Sequence, residues 1–348
     1  MKNCEAKALL VSMLVWAGCL SVHAQQATVA RGPYVQVGLP WSVSGIDVAP
    51  DGTVYMVSDV DRALYRYTLE LSSPQRNTPL LVQKETALKL PVLYAGGEAI
   101  SGLESVRYVN DSTFLFTVEY DRRDGSAASA LYLGKRNGTV VGLEEIVPQT
   151  CFPGTWPRNS GIEGMTLTHD RKEIWLVNER PFEEDEALYS HRVVRLTRID
   201  FSGKVMAQYV YALQPQKSFI ESAAYTDNGV SEILTYDEHH ILILERAFGG
   251  TQTCRTYCRV FMLDLRTAQT YDCQHGRGEP AMATLVFDAG KALSTAHIDN
   301  YEGMAWAPLK DKTPVIMLLS DDNGNWTRHT CPQTTDLTFF NLEPRSGD

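Results

Sequence analysis

Five similar segments recur along the chain, and this repetition constrains the fold more than any other feature. Each segment contains a short β-type run, a polar turn such as Asp51-Gly52, a second β-type run and a closing acidic residue. This order is typical of a β-hairpin. The residues that begin and end the five hairpins are Ser44 and Asp59, Glu104 and Glu119, Glu163 and Glu179, Glu232 and Glu245, and Glu302 and Asp321.

Three of the hairpins continue into a third β-type run, at residues 64–68, 193–200 and 260–264. Antiparallel units that recur with almost no helical periodicity between them are typical of radially arranged blades. We therefore expect an all-β fold, a β-propeller. A β-sandwich or barrel would also accommodate short alternating strands, but it does not explain acidic residues that recur at the same two places of the repeat.

The spacing of the repeats bears on the number of blades. The first residues of successive hairpins lie 60, 59, 69 and 70 positions apart. A compact four-stranded blade needs about 40 to 50 residues, so either the loops are long or a degenerate blade lies within residues 205–230 or 265–300. We expect six blades, five of them visible as repeats, while five or seven would also be compatible with the spacing.

Carboxylates should gather at one end of this fold. The first residue of one hairpin strand and the last residue of the next lie side by side, and the first strands of propeller blades line the central channel. The acidic pairs of the repeats should therefore surround one mouth of the channel. Crowded carboxylates stay ionised only where a cation, arginines or hydrogen-bond donors balance them.

Arginines follow the acids that end the hairpins. Those within four residues of such an acid are Arg62, Arg122, Arg123, Arg180 and Arg246. A ring of acids with a hard cation, together with arginines that bind oxyanions, fits a site for phosphate esters. Alternatively, the same residues form salt bridges that tie one blade to the next, which is a purely structural role.

The first 24 residues have the pattern of a signal peptide. Lys2 and Lys7 precede the apolar stretch from Ala8 to Trp16, and Val22-His23-Ala24 is a small-residue cleavage site. We expect residues 25–348 to form one domain, in the periplasm or secreted. Acylation at Cys19 is the less favoured alternative. No later segment approaches the roughly 20 apolar residues that a transmembrane helix needs.

Composition and missing motifs exclude several classes of protein. The formal net charge of −10 gives no support to nucleic-acid binding and is compatible with cations or a small substrate. The chain lacks Gly-x-Ser-x-Gly, His-Glu-x-x-His and a phosphate-binding glycine loop, which argues against an α/β-hydrolase, a zincin and a P-loop enzyme. We expect a monomer that binds a small-molecule phosphate ester or ester.

The cysteines point to an oxidising environment. Five remain after residue 24, and we expect one or two disulfides among them with at least one thiol unpaired. They are Cys151, Cys254, Cys258, Cys273 and Cys331. Several pairings are compatible with the sequence, so the connectivity stays open.

Three blocks of the sequence resemble a known family. They are Ile162-Glu-Gly-Met165 with Trp175-Leu-Val-Asn-Glu179, Ser231-Glu-Ile-Leu234 with Leu242-Ile-Leu-Glu-Arg246, and Tyr301-Glu-Gly-Met304 with Leu319-Ser-Asp-Asp-Asn323. In combination they resemble the exported phytase-like proteins, whose domain is described as having esterase-like activity of phytase. The resemblance extends from about Trp41 to Leu342, and Ser44 departs from its acidic pattern.

The resemblance implies a metal-assisted hydrolase of phosphoric esters. Propeller phytases hold calcium ions with acids at the channel mouth, so the resemblance implies calcium ligands at Glu104, Glu163, Glu232, Glu302 and Asp321. The residues that we predict to be catalytic are Glu163, Glu232 and Glu302, and those predicted to bind substrate are Arg180, Arg246 and Arg122. Two alternatives stay open: a non-catalytic propeller that binds a ligand or partner, and a calcium-dependent lactonase or esterase.

Overall fold

The fold is described from a computed structural model. It describes residues 27–28, 42–68, 88–94, 97, 100, 102–121, 127–148, 161–216, 226–249, 255–292, 298–307, 315–325 and 333–342. The signal-peptide prediction for residues 1–24 and the alternative at Cys19 lie outside these residues. None of the helices in the described segments has the length and apolar character needed to cross a membrane.

The chain forms a β-propeller, as predicted. Its first strand, β1, is Ala27–Thr28. The next eight strands form two blades of four antiparallel strands each. Blade 1 contains β2 (Val43–Val48), β3 (Thr53–Ser58), β4 (Ala63–Thr68) and β5 (Leu88–Leu93), and blade 2 contains β6 (Leu103–Asn110), β7 (Thr113–Asp121), β8 (Ala127–Asn137) and β9 (Val140–Ile146). The outer strands β5 and β9 pair in parallel and join the two blades into one eight-stranded sheet.

Three further blades follow in chain order. Blade 3 contains β10 (Ile162–Leu167), β11 (Glu173–Asn178), the short helix α1 (Glu183–Leu188), β12 (Val193–Asp200) and β13 (Val205–Ala212). Blade 4 contains β14 (Thr226–Thr235), β15 (His240–Gly249), β16 (Arg255–Asp264) and β17 (Thr284–Asp288), followed by α2 (Ala289–Ala292). Blade 5 contains β18 (Tyr301–Trp306), β19 (Val315–Ser320) and β20 (Leu337–Leu342). Its fourth strand is β1, which pairs with β20.

The inner strands of the blades form a closed ring. They are β2, β6, β10, β14 and β18; each contacts the inner strand of the next blade, and β18 contacts β2. The expected sixth blade is therefore absent from the described part of the chain. The stretches that were candidates for it contain β13 and β17, the outer strands of blades 3 and 4. Within the described residues, the long repeat intervals include the fourth strands β13 and β17.

The apolar core lies between the blades. Strands β3, β10 and β19 are buried along their whole length because sheets pack against both of their faces. Between blades 1 and 5, for example, Ile46 and Met56 belong to one cluster with Met317 and Phe339. The packing of one blade on the next therefore sets where the ends of the inner strands lie.

Two of the five expected mature cysteines lie in the described segments. Cys258 on β16 is buried with a free thiol, and burial raises its pKa. Cys273 is disulfide-bonded. The other three cysteines lie outside the described residues, so the pairing remains open.

Candidate functional site

A β-bulge begins each of the five inner hairpins. The bulged residues are Ser44, Glu104, Glu163, Ser231 and Glu302. A bulge adds one residue to a strand and re-aims its side chain. The same local geometry thus places a carboxylate in blades 2, 3 and 5 and a serine hydroxyl in blades 1 and 4.

Seven carboxylates gather at this end of the ring, as the hairpin geometry predicts. We call them the mouth acids: Asp59, Glu104, Glu119, Glu163, Glu179, Glu302 and Asp321. Burial raises the pKa of Glu104 well above its ordinary value, and the nearby charges of Glu302, Glu119, Asp59 and Asp321 raise it further. Glu163 is 7 % exposed. Its pKa is likewise raised by burial and then by Glu104, Glu179 and Glu119.

The same causes act on the remaining buried acids of the group. Asp321 is 5 % exposed, and burial followed by the charge of Glu302 raises its pKa. The pKa of Glu179 is also raised by burial, although Arg246 and Arg180 oppose the shift. The mouth therefore concentrates negative charge in a partly dry environment, where ionised carboxylates are costly without a counter-charge.

Arg246 supplies part of that counter-charge from blade 4, one of the two blades whose bulge carries a serine instead of an acid. Its Nη2 atom lies 3.2 Å from Oε1 of Glu179 and 3.3 Å from Oε1 of Glu302. Its Nη1 atom donates to Oδ1 of Asn300 at 3.2 Å. Burial alone would lower the pKa of Arg246, but the surrounding carboxylates raise it above its ordinary value. The guanidinium is thus fixed among the mouth acids.

Arg180 lies at the edge of the same group and is more exposed. Its Nε atom is 3.5 Å from Oε2 of Glu179, and its Nη2 atom is 3.1 Å from Oδ2 of Asp227. One third of the side chain is exposed to solvent. Arg122, the third predicted substrate-binding arginine, lies outside the residues whose side chains are described.

Glu232 does not join the mouth acids, contrary to the expected alignment. The bulge of blade 4 falls at Ser231, so Glu232 takes the next position along the strand, where the side chain points elsewhere. Its carboxylate pairs with Arg107 at 2.8 Å and accepts hydrogen bonds from Ser105 Oγ and from the backbone N–H groups of Met165 and Ile233. Burial raises the pKa of Glu232 to about 7.

Glu245, the other acid of blade 4, is held by neutral donors. It accepts hydrogen bonds from the hydroxyl of Tyr211 at 2.5 Å and from the backbone N–H of Gln214. The side-chain amide of Asn228 donates to it as well. Burial raises the pKa of Glu245 to about 7. Blade 4 therefore turns both of its repeat acids to internal contacts and contributes Arg246 to the mouth.

Arg107, inside the ring of inner strands, and Asn300, at the mouth, were not anticipated from the sequence. Arg107 lies on β6 and is 2 % exposed. The sequence feature that could have revealed it is a charged residue flanked by apolar residues within a strand. Asn300 connects the mouth acids because its Nδ2 atom donates to Glu302 at 2.8 Å while its Oδ1 atom accepts from Arg246. No pattern in the sequence distinguishes Asn300 from an ordinary loop residue.

The chemistry of the mouth acids fits a hard cation better than a transition metal. All of their side-chain donors are carboxylate oxygens, the ligand type that calcium prefers. Within the described segments, no three His, Cys, Asp or Glu side chains are arranged so that they could hold a metal ion. The residues thus supply suitable donor atoms, while Arg246 takes the place of a cation between Glu179 and Glu302.

Comparisons with known proteins agree with the fold and indicate a family. A family model for phytase-like proteins, described as esterase-like activity of phytase, matches residues 41–324. No curated protein matches the chain.

Among solved structures, the endo-arabinase from Bacteroides thetaiotaomicron VPI-5482 shares 11 % identity with a TM-score of 0.50, covering 93 % of this chain and 99 % of its own. A thermostable family-43 glycoside hydrolase shares 12 % identity with a TM-score of 0.49, and the match covers 90 % of this chain and 97 % of the hydrolase. The soluble aldose sugar dehydrogenase from Escherichia coli shares 11 % identity with a TM-score of 0.45, and the match covers 92 % of this chain and 99 % of the dehydrogenase. At these identities the similarity concerns the fold alone.

Proposed function

Because the chain belongs to the phytase-like family, we propose that it is a hydrolase of phosphoric esters whose site is formed by the mouth acids and whose reaction is assisted by calcium. The observation that carries the proposal is the charge balance of the mouth. Seven carboxylates gather around two arginines, Arg246 and Arg180, in a partly buried setting. Structural ties between blades would need only one acid for each boundary.

A cation would complete this balance. The carboxyls of Glu104, Glu163 and Asp321 have raised pKa values because burial disfavours their charged forms. A bound divalent cation stabilises those charged forms and is itself held more tightly by them. We assign its proposed ligands to Glu104, Glu163, Glu302 and Asp321. When bound, calcium would polarise a phosphoryl group and lower the pKa of an attacking water molecule.

The arginines and two of the mouth acids suit the remaining tasks. Arg246 is held in place by Glu179, Glu302 and Asn300, so little orientational freedom is lost when it binds an oxyanion. Arg180 is more exposed and could bind a second phosphate oxygen. Glu163 and Glu302 are the proposed proton acceptors. Glu232 is left out of the reaction because Arg107, Ser105 and two backbone N–H groups already engage its carboxylate.

We also propose that the protein is exported from the cytoplasm. The pattern of residues 1–24 and the exported proteins that the sequence resembles support a periplasmic or secreted enzyme. Extracellular calcium would then be available to the mouth acids. N-terminal sequencing of protein recovered from a periplasmic fraction should begin at Gln25; a cytoplasmic protein that retains Met1 would contradict this part of the proposal.

The test is a phosphatase assay on the purified protein. Phytate and an aryl phosphate are offered with calcium and with a chelator, and Glu163→Gln is compared with the wild type. We expect calcium-dependent phosphate release that falls by a factor of about 100 in the variant, the size of effect seen when one electrostatic group of a site is removed. Glu144→Gln is the control, because Glu144 forms an exposed pair with Lys135. Absence of activity, or equal activity of the two variants, would refute the proposal.

A non-catalytic binding propeller is the second candidate, and one observation favours it. Arg246 already contacts Glu179 and Glu302, so the mouth has an internal counter-charge and need not bind a metal. A lactone and an aryl carboxylic ester in the same assay would separate the remaining alternative, a lactonase or esterase. Ligand binding without turnover of any of these substrates would favour the binding propeller.

A further inference from the structure

A second pair of buried aspartates lies on blade 5, apart from the mouth acids. Asp299 precedes β18 and Asp336 precedes β20, and they are 6 % and 7 % exposed. The backbone holds Asp336 firmly, since its N–H donates to Ser320 Oγ at 2.8 Å and its carbonyl accepts from the N–H of Ser320 at 3.0 Å. Both carboxylates therefore lie close to the starts of strands, and the backbone of Asp336 is hydrogen-bonded to the end of β19.

One hydroxyl group joins the two carboxylates. Thr334 Oγ1 lies 2.5 Å from Oδ2 of Asp299 and 2.6 Å from Oδ2 of Asp336. A threonine hydroxyl has a single hydrogen and can satisfy only one of these acceptors at a time. One short oxygen–oxygen contact is therefore left without a hydrogen between its two atoms, unless a carboxyl group is protonated or a cation lies beside them.

A further oxygen of the same group has no partner among the residues that the structure describes. Oδ1 of Asp336 is buried, accepts no hydrogen bond and takes part in no ion pair within the described residues. Thr335 Oγ1, on the neighbouring residue, is likewise buried without a hydrogen-bond partner. A buried carboxylate oxygen that is left unpaired destabilises the folded state. Because the side chain of Asp336 is more than nine-tenths buried, its unpaired oxygen indicates that a ligand binds there.

We propose that Asp299, Thr334 and Asp336 form a calcium site distinct from the mouth acids. Asp336 offers both carboxylate oxygens, Asp299 offers Oδ2 and Thr334 offers its hydroxyl oxygen, all hard donors of the kind that calcium takes in groups of six to eight with water completing the shell. A cation in contact with these atoms removes the conflict at the shared hydroxyl and gives the unpaired oxygen a partner.

The proposed calcium site is connected to the mouth acids through Asn300. Asn300 follows Asp299 directly, and its side chain contacts both Arg246 and Glu302. Asp299 further accepts a hydrogen bond from the backbone N–H of Thr334 at 3.0 Å, which joins the two loops of blade 5. A cation that fixes Asp299 would thereby fix Asn300 between Arg246 and Glu302. Calcium binding at Asp299, Thr334 and Asp336 does not depend on whether the mouth acids hydrolyse phosphate esters.

The experiment is calcium titration of the full chain, followed by calorimetry and by thermal unfolding. The variants are Asp336→Asn and Thr334→Val, with Asp288→Asn as a control, since Asp288 is as buried as Asp336 but is paired with Arg259 and Tyr257. We expect Asp336→Asn and Thr334→Val to weaken one calcium-binding event by at least tenfold and to lessen the rise in unfolding temperature that calcium causes. Asp288→Asn should leave calcium affinity unchanged.

Separate variants distinguish this site from the mouth. Glu163→Gln should leave the event that depends on Asp336 in place, whether or not phosphate release is observed. Circular dichroism confirms that each variant is folded, and Thr334→Val, which removes no charge, serves if Asp336→Asn does not fold. Unchanged calcium affinity in both blade 5 variants, or calcium binding by the wild type that is lost only in Glu163→Gln, would overturn the proposal. Absence of calcium binding by the wild type would overturn it too.

Discussion

Nη2 of Arg107 lies 2.8 Å from Oε2 of Glu232, and both side chains are almost wholly buried inside the ring of inner strands. The pair touches every blade. Arg107 donates to the backbone carbonyl oxygens of Ile46, Val106 and Ile233, and it approaches that of Met304, while Glu232 accepts from the N–H of Met165. One ion pair therefore joins β2, β6, β10, β14 and β18.

Breaking this pair should cost more stability than any surface pair. We expect Arg107→Met or Glu232→Leu to lower the free energy of unfolding by about 3–5 kcal/mol, because each leaves an uncompensated buried charge. Urea unfolding measures the change, with Lys135→Met as the control in an exposed pair worth about 0–1 kcal/mol. A loss below 1 kcal/mol for both core variants would show that the pair does not hold the ring together.

Stability should fall as the pH rises from about 5 to about 8. Glu232 and Glu245 have pKa values of about 7 in the folded protein, well above the ordinary value of 4.5 that applies when the chain is unfolded. Between these values the folded state binds more protons than the unfolded state, so raising the pH favours unfolding, by at most about 3 kcal/mol for each group.

Urea unfolding at a series of pH values measures this slope. Glu245→Gln should flatten it because the amide does not titrate, while Glu144→Gln at an exposed position should leave it unchanged. The prediction fails if Glu245→Gln and the wild type lose stability equally over this range.

The counter-charge of Arg246 can be tested through its dependence on pH and calcium. Arg246→Met should destabilise the protein by about 3–5 kcal/mol at pH 8, where the mouth acids lose a buried partner. The loss should be smaller at pH 5 than at pH 8, because the pKa values of Glu104, Glu163 and Asp321 are raised and a lower pH favours their neutral forms. Calcium should restore part of the lost stability. Thermal unfolding provides the measurement, and Arg266→Met is the control because its pair with Asp264 is exposed. Equal losses at both pH values would contradict this role.

The inner strands should tolerate no extra carbon at Gly164. A Cβ atom there would lie 2.8 Å from Cγ1 of Val177 and 2.9 Å from Cα of Glu232, which is closer than such atoms approach in proteins. We expect Gly164→Ala to cost about 1–3 kcal/mol, the usual range for an overpacked core. Gly142→Ala is the matched control, since its nearest neighbouring atom would be 4.0 Å away. Similar stability of both variants in urea would show that β10 and β14 can separate.

The acids of the repeats show how far local sequence reasoning extends to the site. Glu104, Glu163 and Glu302 lie where the hairpin pattern places them, because a hairpin brings its own two ends together whatever surrounds it. Glu232 does not, since the bulge of blade 4 shifts by one residue to Ser231. That shift depends on the packing of β14 against β10, where Glu232 lies beside Gly164, and on the buried partner Arg107.

The sequence by itself determined the all-β propeller, its repeated hairpins and the gathering of carboxylates at one end, because strand alternation, turn residues and hairpin closure act over a few neighbouring positions. Only the tertiary structure decided the ring of five described blades, the removal of Glu232 and Glu245 from the mouth, and the meeting of Asp299 with Asp336. These relationships join residues dozens to hundreds of positions apart. They depend on how one blade packs on the next, and no local pattern encodes that packing.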